Sequence, residues 1–107
     1  MLFRSRGRPF TVIDTGGLGL EDGSGLEEAV EREADLAISA ATRVLLVVDG
    51  KAGLQVLDTE VAKRLRRASA AVTLVVNKMD PGAGEGRIGE FSKLGFGPGH
   101  GISAEHG

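Results

Sequence analysis

Apolar positions follow two different rhythms along this chain. Leu26, Val30, Ala34, Ala37, Ile38 and Ala41 recur every three or four residues, the spacing of one helical face, with Glu27, Glu28, Glu31 and Arg32 turned outward. Just ahead, Ser24-Gly25-Leu26-Glu27 matches a capping box, in which Ser bonds the backbone and Glu reaches back to it. Leu57, Val61, Leu65 and Ala68 repeat the helical spacing and leave Lys63, Arg64, Arg66 and Arg67 as a solvated face. By contrast, Arg43 to Asp49 and Ala71 to Val76 are apolar runs without alternation, the mark of strands covered on both faces. A shorter run, Pro9 to Ile13, ends in Asp14 and a Gly-rich loop that reaches Gly25. After a Pro/Gly-rich loop from Pro81 to Gly86, a short helix near Ile88 to Leu94 and a last strand near Ile102 complete the chain.

Strand, helix, strand, helix, strand predicts an α/β fold: a parallel sheet with helices on both faces, three layers in all. In such sheets ligands sit beyond the carboxyl ends of the strands. Asp14, Asp49, Asn77 and Ser103 all fall at those ends. The length of 107 residues suits one small domain. With four Phe and no Trp or Tyr, aliphatic side chains must build the core. A net charge of −2 offers no bulk attraction to nucleic acid or an anionic membrane. The absence of Cys excludes a disulfide scaffold and fits a reducing, cytoplasmic setting, and no apolar run is long enough to span a bilayer.

The sharpest chemical signal is Asn77-Lys78-Met79-Asp80, directly after the apolar run that ends at Val76. An Asp carboxylate accepts two hydrogen bonds from guanine, one from the ring N–H and one from the exocyclic amine. Adenine lacks that pair of donors, and a site built for it would leave buried polar groups unpaired. Lys78 can lie along the base and the Asn77 amide can tie loops together. Alone, the tetrapeptide would pass for a polar turn; Asp14-Thr15-Gly16-Gly17 upstream and Ser103-Ala104 downstream give it weight. Asp14 could equally be a strand-end cap, and Asp49 reads as the structural residue ordering the next turn. Gly84 to Gly89 spells G-x-G-x-x-G, but it follows no strand directly and reads as a flexible loop. His100 and His106 are isolated and make no metal site. A phosphate-accepting receiver domain is excluded because no acidic pair precedes Asp49 and no Pro follows Lys78.

With these motifs in this order, the chain resembles a translation-factor-type GTPase domain with a P-loop-NTPase-like fold, and most closely the Der (EngA) family of ribosome-assembly GTPases. The matching residues are Asp14-Thr15-Gly16-Gly17-Leu18, Ala37-Ile38, Leu46 to Asp49, Gly53-Leu54, Asp58, Leu65 to Arg67, Val75 to Asp80, Phe91, Leu94-Gly95-Phe96-Gly97 and Ser103 to Gly107. The resemblance implies that Asp14 holds Mg²⁺ through water and that the Gly17 N–H meets the γ-phosphate. It also implies that Asn77, Lys78 and Asp80 read guanine and that the Ala104 N–H, beside Ser103, meets the guanine carbonyl. Leu18 stands where small signalling GTPases carry a water-orienting Gln. No residue here is therefore assigned as catalytic, and potassium-assisted hydrolysis is the family's implied device. The implied partners are a guanine nucleotide (GTP or GDP), a second G domain, a KH-like domain and the large ribosomal subunit.

The family also implies a strand, a G-x-x-x-x-G-K-[ST] loop, a helix and a Mg²⁺-binding Thr ahead of Asp14. Met1 to Arg8 cannot hold these, and no Gly-Lys-Ser or Gly-Lys-Thr occurs in the sequence. Residues 1–107 are thus expected to form an N-terminally truncated G domain, lacking its phosphate loop and inactive in hydrolysis when alone. The absent strand would lie between the Phe10 and Arg43 strands, leaving two bare edges prone to self-association. A reading from another class treats the chain as a nucleotide-independent interaction module without catalysis.

Overall fold

The computed structural model describes residues 2–5, 8–17, 25–39, 43–77 and 89–102. They form β1 (Leu2–Ser5), β2 (Arg8–Asp14), α1 (Leu26–Ser39), β3 (Arg43–Asp49), α2 (Val56–Arg67), β4 (Val72–Asn77) and β5 (His100–Gly101). The sheet order is β1-β2-β3-β4-β5. β2 to β5 run parallel, as the unbroken apolar strands imply, while β1 lies antiparallel against β2 with Leu2 opposite Thr11 and Ser5 opposite Arg8. The antiparallel edge was not legible in Leu2–Ser5, which is too short and mixed to carry a period.

The expected gap between the Phe10 and Arg43 strands is overturned. β2 pairs β3 directly, from Phe10 opposite Arg43 to Asp14 opposite Val47. The ladder is continuous, so no strand stands between them, and β1 covers the other side of β2. The argument for self-association through two bare edges falls with that gap. Val44, Leu46 and Val48 are fully buried, and so is Ile13 opposite Leu46. The two strands have closed up on a sealed core.

That core lies on one face of the sheet. Thr11 faces Val44, Ile13 faces Leu46, Leu46 faces Leu74 and Val48 faces Val76, so the buried side chains of three strands form rows on the same side. Onto those rows pack Val30, Ala34 and Ala37 of α1, Leu57, Val61, Ala62 and Leu65 of α2, and Phe91 and Leu94. On the opposite face Val12, Leu45, Thr73, Val47 and Val75 are only half-buried. Among the described residues, the helices therefore cover one face, and the sheet and this layer account for two of the three expected layers.

The helical rhythm was accurate for most positions. Ile38, placed on the inner face by its spacing, is instead 36% exposed, and Ala29, absent from that pattern, is buried. Ala41 and the Ser24 of the capping box lie outside the described residues; α1 begins with the Ala29 N–H donating to the Gly25 carbonyl at 2.9 Å. The basic face of α2 is not simply solvated. Arg64 pairs with Asp35 of α1 at 3.2 Å, and Arg66 reaches past the helix end to donate to the Leu94 carbonyl. Gly95 makes room for this. It adopts φ +92°, and a Cβ there would stand 2.8 Å from Cδ of Arg66. Gly95 is favoured by its left-handed backbone, and a larger residue there would also displace the Arg66 side chain.

Candidate functional site

Three strand ends bring the polar residues of the described structure together. Asp14 closes β2, Asp49 closes β3 and Asn77 closes β4, with Asp49 directly opposite Asn77 in the ladder. The chain leaves β2 through a 3₁₀ turn, Thr15–Gly17, that lies between the first two strand ends. A Cβ on Gly16 would stand 3.5 Å from Asp14 Oδ1 and 3.5 Å from the Cβ of Asp49. Gly16 thus lies between the two Asp side chains, with a Cβ there in ordinary contact with both. The Gly50 N–H donates to the Asn77 carbonyl at 2.7 Å, which ties the third strand end to the second.

The two Asp side chains have different duties. Asp49 Oδ1 accepts the N–H groups of Lys51 and Ala52 at 2.9 and 3.2 Å. This is the structural role read from the sequence: a strand-end Asp that holds the following turn. Asp14 is exposed and faces solvent at the strand end. Its hard oxygen donors suit Mg²⁺, which usually takes one or two carboxylates and completes its shell with water and phosphate oxygens. Among the described residues no group of three or more acidic or His side chains could hold a metal ion by itself. The donor set present fits a Mg²⁺ shared with a phosphate and does not fit an all-protein cage.

Thr15 points inward. Its side chain is 7% exposed, and its Oγ1 donates to Asp58 Oδ1 at 2.5 Å, with the Val47 carbonyl 3.3 Å away. Any contact from position 15 to a ligand must therefore come from its backbone. Asp58, on the first turn of α2, is 2% exposed, and its Oδ2 accepts the N–H of Gln55, the residue capping that helix, at 2.8 Å. Burial pushes the Asp58 carboxyl above its ordinary value, opposed by the bonds from Thr15 and Gln55 and reinforced by the negative charge of Asp49. Among the matching residues Asp58 had no assigned role. The available signal was local: the spacing Gln55-x-x-Asp58 ahead of an apolar run is that of a helix start. A second link nearby was also missed, where the N–H of Leu54 donates to Glu90 Oε1 at 3.0 Å.

The structure thus groups Asp14, Thr15, Gly16, Gly17 and Asn77 on one rim. Lys78, Asp80, Ser103 and Ala104, together with Leu18, lie outside the described residues. No described helix is long and apolar enough to cross a membrane.

Comparison with known proteins agrees with the motifs. Residues 2–78 match the family model described as 50S ribosome-binding GTPase. The chain is 43% identical over 101 residues to the GTPase Der of Acidithiobacillus ferrooxidans, covering 94% of this chain and 22% of that protein. It is 44% identical over 101 residues to the GTPase Der of Pelotomaculum thermopropionicum, covering 94% and 23%. With the GTPase Der of Clostridium novyi the identity is 46% over 98 residues, covering 92% and 22%. The chain spans less than a quarter of the length of these relatives. A family match over residues 2–78 and relatives at 43–46% identity over nearly the whole chain show that the chain belongs to the 50S ribosome-binding GTPase family and carries part of a Der-type G domain.

Proposed function

We propose that this chain supplies the guanine-reading and Mg²⁺-facing half of a GTP-binding site. The observation that carries this reading is the convergence of Asp14, the Thr15–Gly17 turn and Asn77 at the carboxyl ends of adjacent parallel strands. In this reading Asp14 holds Mg²⁺ through water, and the Gly17 N–H faces the terminal phosphate. Asn77, Lys78 and Asp80 select guanine, and the Ser103-Ala104 backbone meets its carbonyl oxygen. Mg²⁺ supplies charge neutralisation at the phosphates. The residues named here would hold the base and the Mg²⁺, and none of them is assigned as a general base. Leu18 has no hydrogen-bonding group with which to orient a water, so hydrolysis by a complete domain would use another device, for which K⁺ is the candidate. Association with a second G domain, a KH-like domain and the large ribosomal subunit in the cytoplasm belongs to the same reading.

Asp80→Asn tests it. The exchange replaces one acceptor with a donor and turns the preference from guanine toward xanthine, read by competition of GTP, XTP and ATP with Mg²⁺ on a domain in which the phosphate-loop segment has been restored. An unchanged preference for GTP would sink the assignment.

One observation favours the second reading, a module that works without nucleotide. The direct β2–β3 ladder leaves no place between Asp14 and Asp49 for a strand carrying a phosphate loop. Losing four charge-assisted bonds to phosphate at about 1.5 kcal/mol each removes roughly 6 kcal/mol, about 10⁴-fold in affinity. A site of micromolar affinity that loses those bonds falls to about 10 mM, so the chain with this ladder is expected to bind GDP no tighter than millimolar. Calorimetry that returns a micromolar constant would refute the weak-binding argument.

A further inference from the structure

Among the described residues, the shortest side-chain bond from the Thr15–Gly17 turn runs from the Thr15 hydroxyl to Asp58, 43 positions away in sequence, at 2.5 Å, with the Val47 carbonyl of β3 a second acceptor at 3.3 Å. The short Thr15–Asp58 bond falls in the range of charge-assisted hydroxyl–carboxylate pairs. Both groups are nearly sealed from water, so neither can exchange its partner for solvent. The other carboxylate oxygen is held by the Gln55 N–H, which orients the group from the helix side. A buried carboxylate with net burial cost is a poor choice for holding a helix start, because an exposed Ser or Asp would cap it without that cost. Its distinctive product is the fixed position of Thr15, and with it the direction in which the backbone of Gly16 and Gly17 leaves β2.

We infer that Asp58 is a positioning residue: through the Thr15 hydroxyl it sets where the Gly16 and Gly17 amides stand at the rim between Asp14 and Asp49. Its functional meaning rests on the reading of that turn as the phosphate-facing loop. Asp58 touches no ligand in this account and acts only through Thr15.

Four variants of the whole chain test this by backbone NMR. In Thr15→Val the order parameters of Gly16 and Gly17 are expected to fall from about 0.85 to below about 0.6, while Val61 and Leu65 in α2 stay at the rigid value. Thr15→Ser, which keeps the hydroxyl, restores the turn. Asp58→Asn also keeps it ordered, because an amide can donate to Thr15 and accept from Gln55. Thr15→Val leaves a buried carboxylate without its partner and could unfold the chain. Thr15→Val combined with Asp58→Leu removes both polar groups together, which leaves no orphaned charge. The double variant is expected to keep α2 rigid and Gly16 and Gly17 mobile. A double variant whose turn is as ordered as the parent's overturns the inference, as does loss of order spread evenly over α2 and the turn. The nucleotide reading is judged separately: where nucleotide binds, the double variant loses about tenfold in discrimination of GTP from GDP and keeps its guanine preference. Failure of the parent to bind any nucleotide would defeat the proposed function and leave the order parameters to decide the role of Asp58.

Discussion

The turns after β2 and β3 leave the same sheet edge side by side, yet they are held in opposite ways. After β3, Asp49 reaches forward to the N–H groups two and three residues on, and the Gly53 N–H returns to the Asp49 carbonyl at 3.2 Å. That turn is held mainly by its own residues, with one further bond from the Gly50 N–H to the Asn77 carbonyl beside it at 2.7 Å. After β2, the Thr15 side chain turns away from its neighbours and into the fold, to a carboxylate on α2. The first arrangement keeps its shape wherever a strand end is rigid. The second ties the turn to α2 through Asp58, with the Val47 carbonyl of β3 a weaker second partner. A turn held mainly by neighbours in sequence suits a scaffold; a turn anchored through a distant helix suits a part whose position matters to a ligand.

Thr15→Val should break the contrast most severely. It strands a buried carboxylate, and the expected loss is about 3 kcal/mol, seen as a lower urea midpoint with an unchanged slope. Gly53→Ala attacks the other turn through its backbone, because Gly53 sits at φ +79°. Forcing a Cβ into that region costs about 1 kcal/mol, measurable as a drop of several degrees in Tm. Asp49→Ala should cost less, about 0.5 kcal/mol, since the Lys51 and Ala52 N–H groups are exposed and water can replace the lost acceptor. A loss as large as that of Thr15→Val would erase the distinction between a local and a moored turn.

The smallest effect sharpens the comparison through pH. The folded pKa of Asp58 is raised, so the folded chain takes up this proton at a higher pH than the unfolded chain does. Its burial cost is fully present at neutral pH. The cost is relieved as pH falls through the folded pKa toward the ordinary carboxylate value of 3.8. The parent should therefore gain stability relative to Asp58→Asn on acidification, and the gain should level off below that value. Parallel denaturation curves of the two chains at several pH values give the difference. A difference independent of pH would show that the Asp58 carboxyl has no raised folded value.

What could be read in the sequence divides along the same line as the two turns. Asp49 was legible as a turn-former because its partners lie within three residues. The strands Arg43–Asp49 and Val72–Asn77 were legible because an apolar run declares itself locally. The direct β2–β3 ladder was not, since whether two strands close up is decided by packing of side chains from four elements. Arg66 looked like one of four solvated cations, and only the return of the chain at Leu94 and Gly95 gives it a carbonyl to bind. Ile38 followed the helical period and still faces outward, because Val30, Ala34 and Ala37 suffice to fill the contact with the core. The site divides in the same way. Asp14 and Asn77 were placed at strand ends by their neighbours in sequence, whereas the Thr15–Asp58 pair required the third dimension.

The parallel ladder carries a consequence in time. Phe10 and its partner Arg43 stand 33 positions apart, while Ser5 and Arg8 of the antiparallel edge stand only three apart. A hairpin closes in about 1–10 μs, and synthesis adds about 5–20 residues per second. The β1–β2 hairpin therefore forms as soon as its residues are free, and the open side of β2 then waits roughly 2–7 s for Arg43 to be made. Throughout that interval Thr11 and Ile13 have no β3 beside them, and a neighbouring nascent chain offers the same edge. The acidic stretch of α1, with Glu27, Glu28 and Glu31, is synthesised within that wait. Its like charges discourage a second copy from docking before the chain's own β3 arrives.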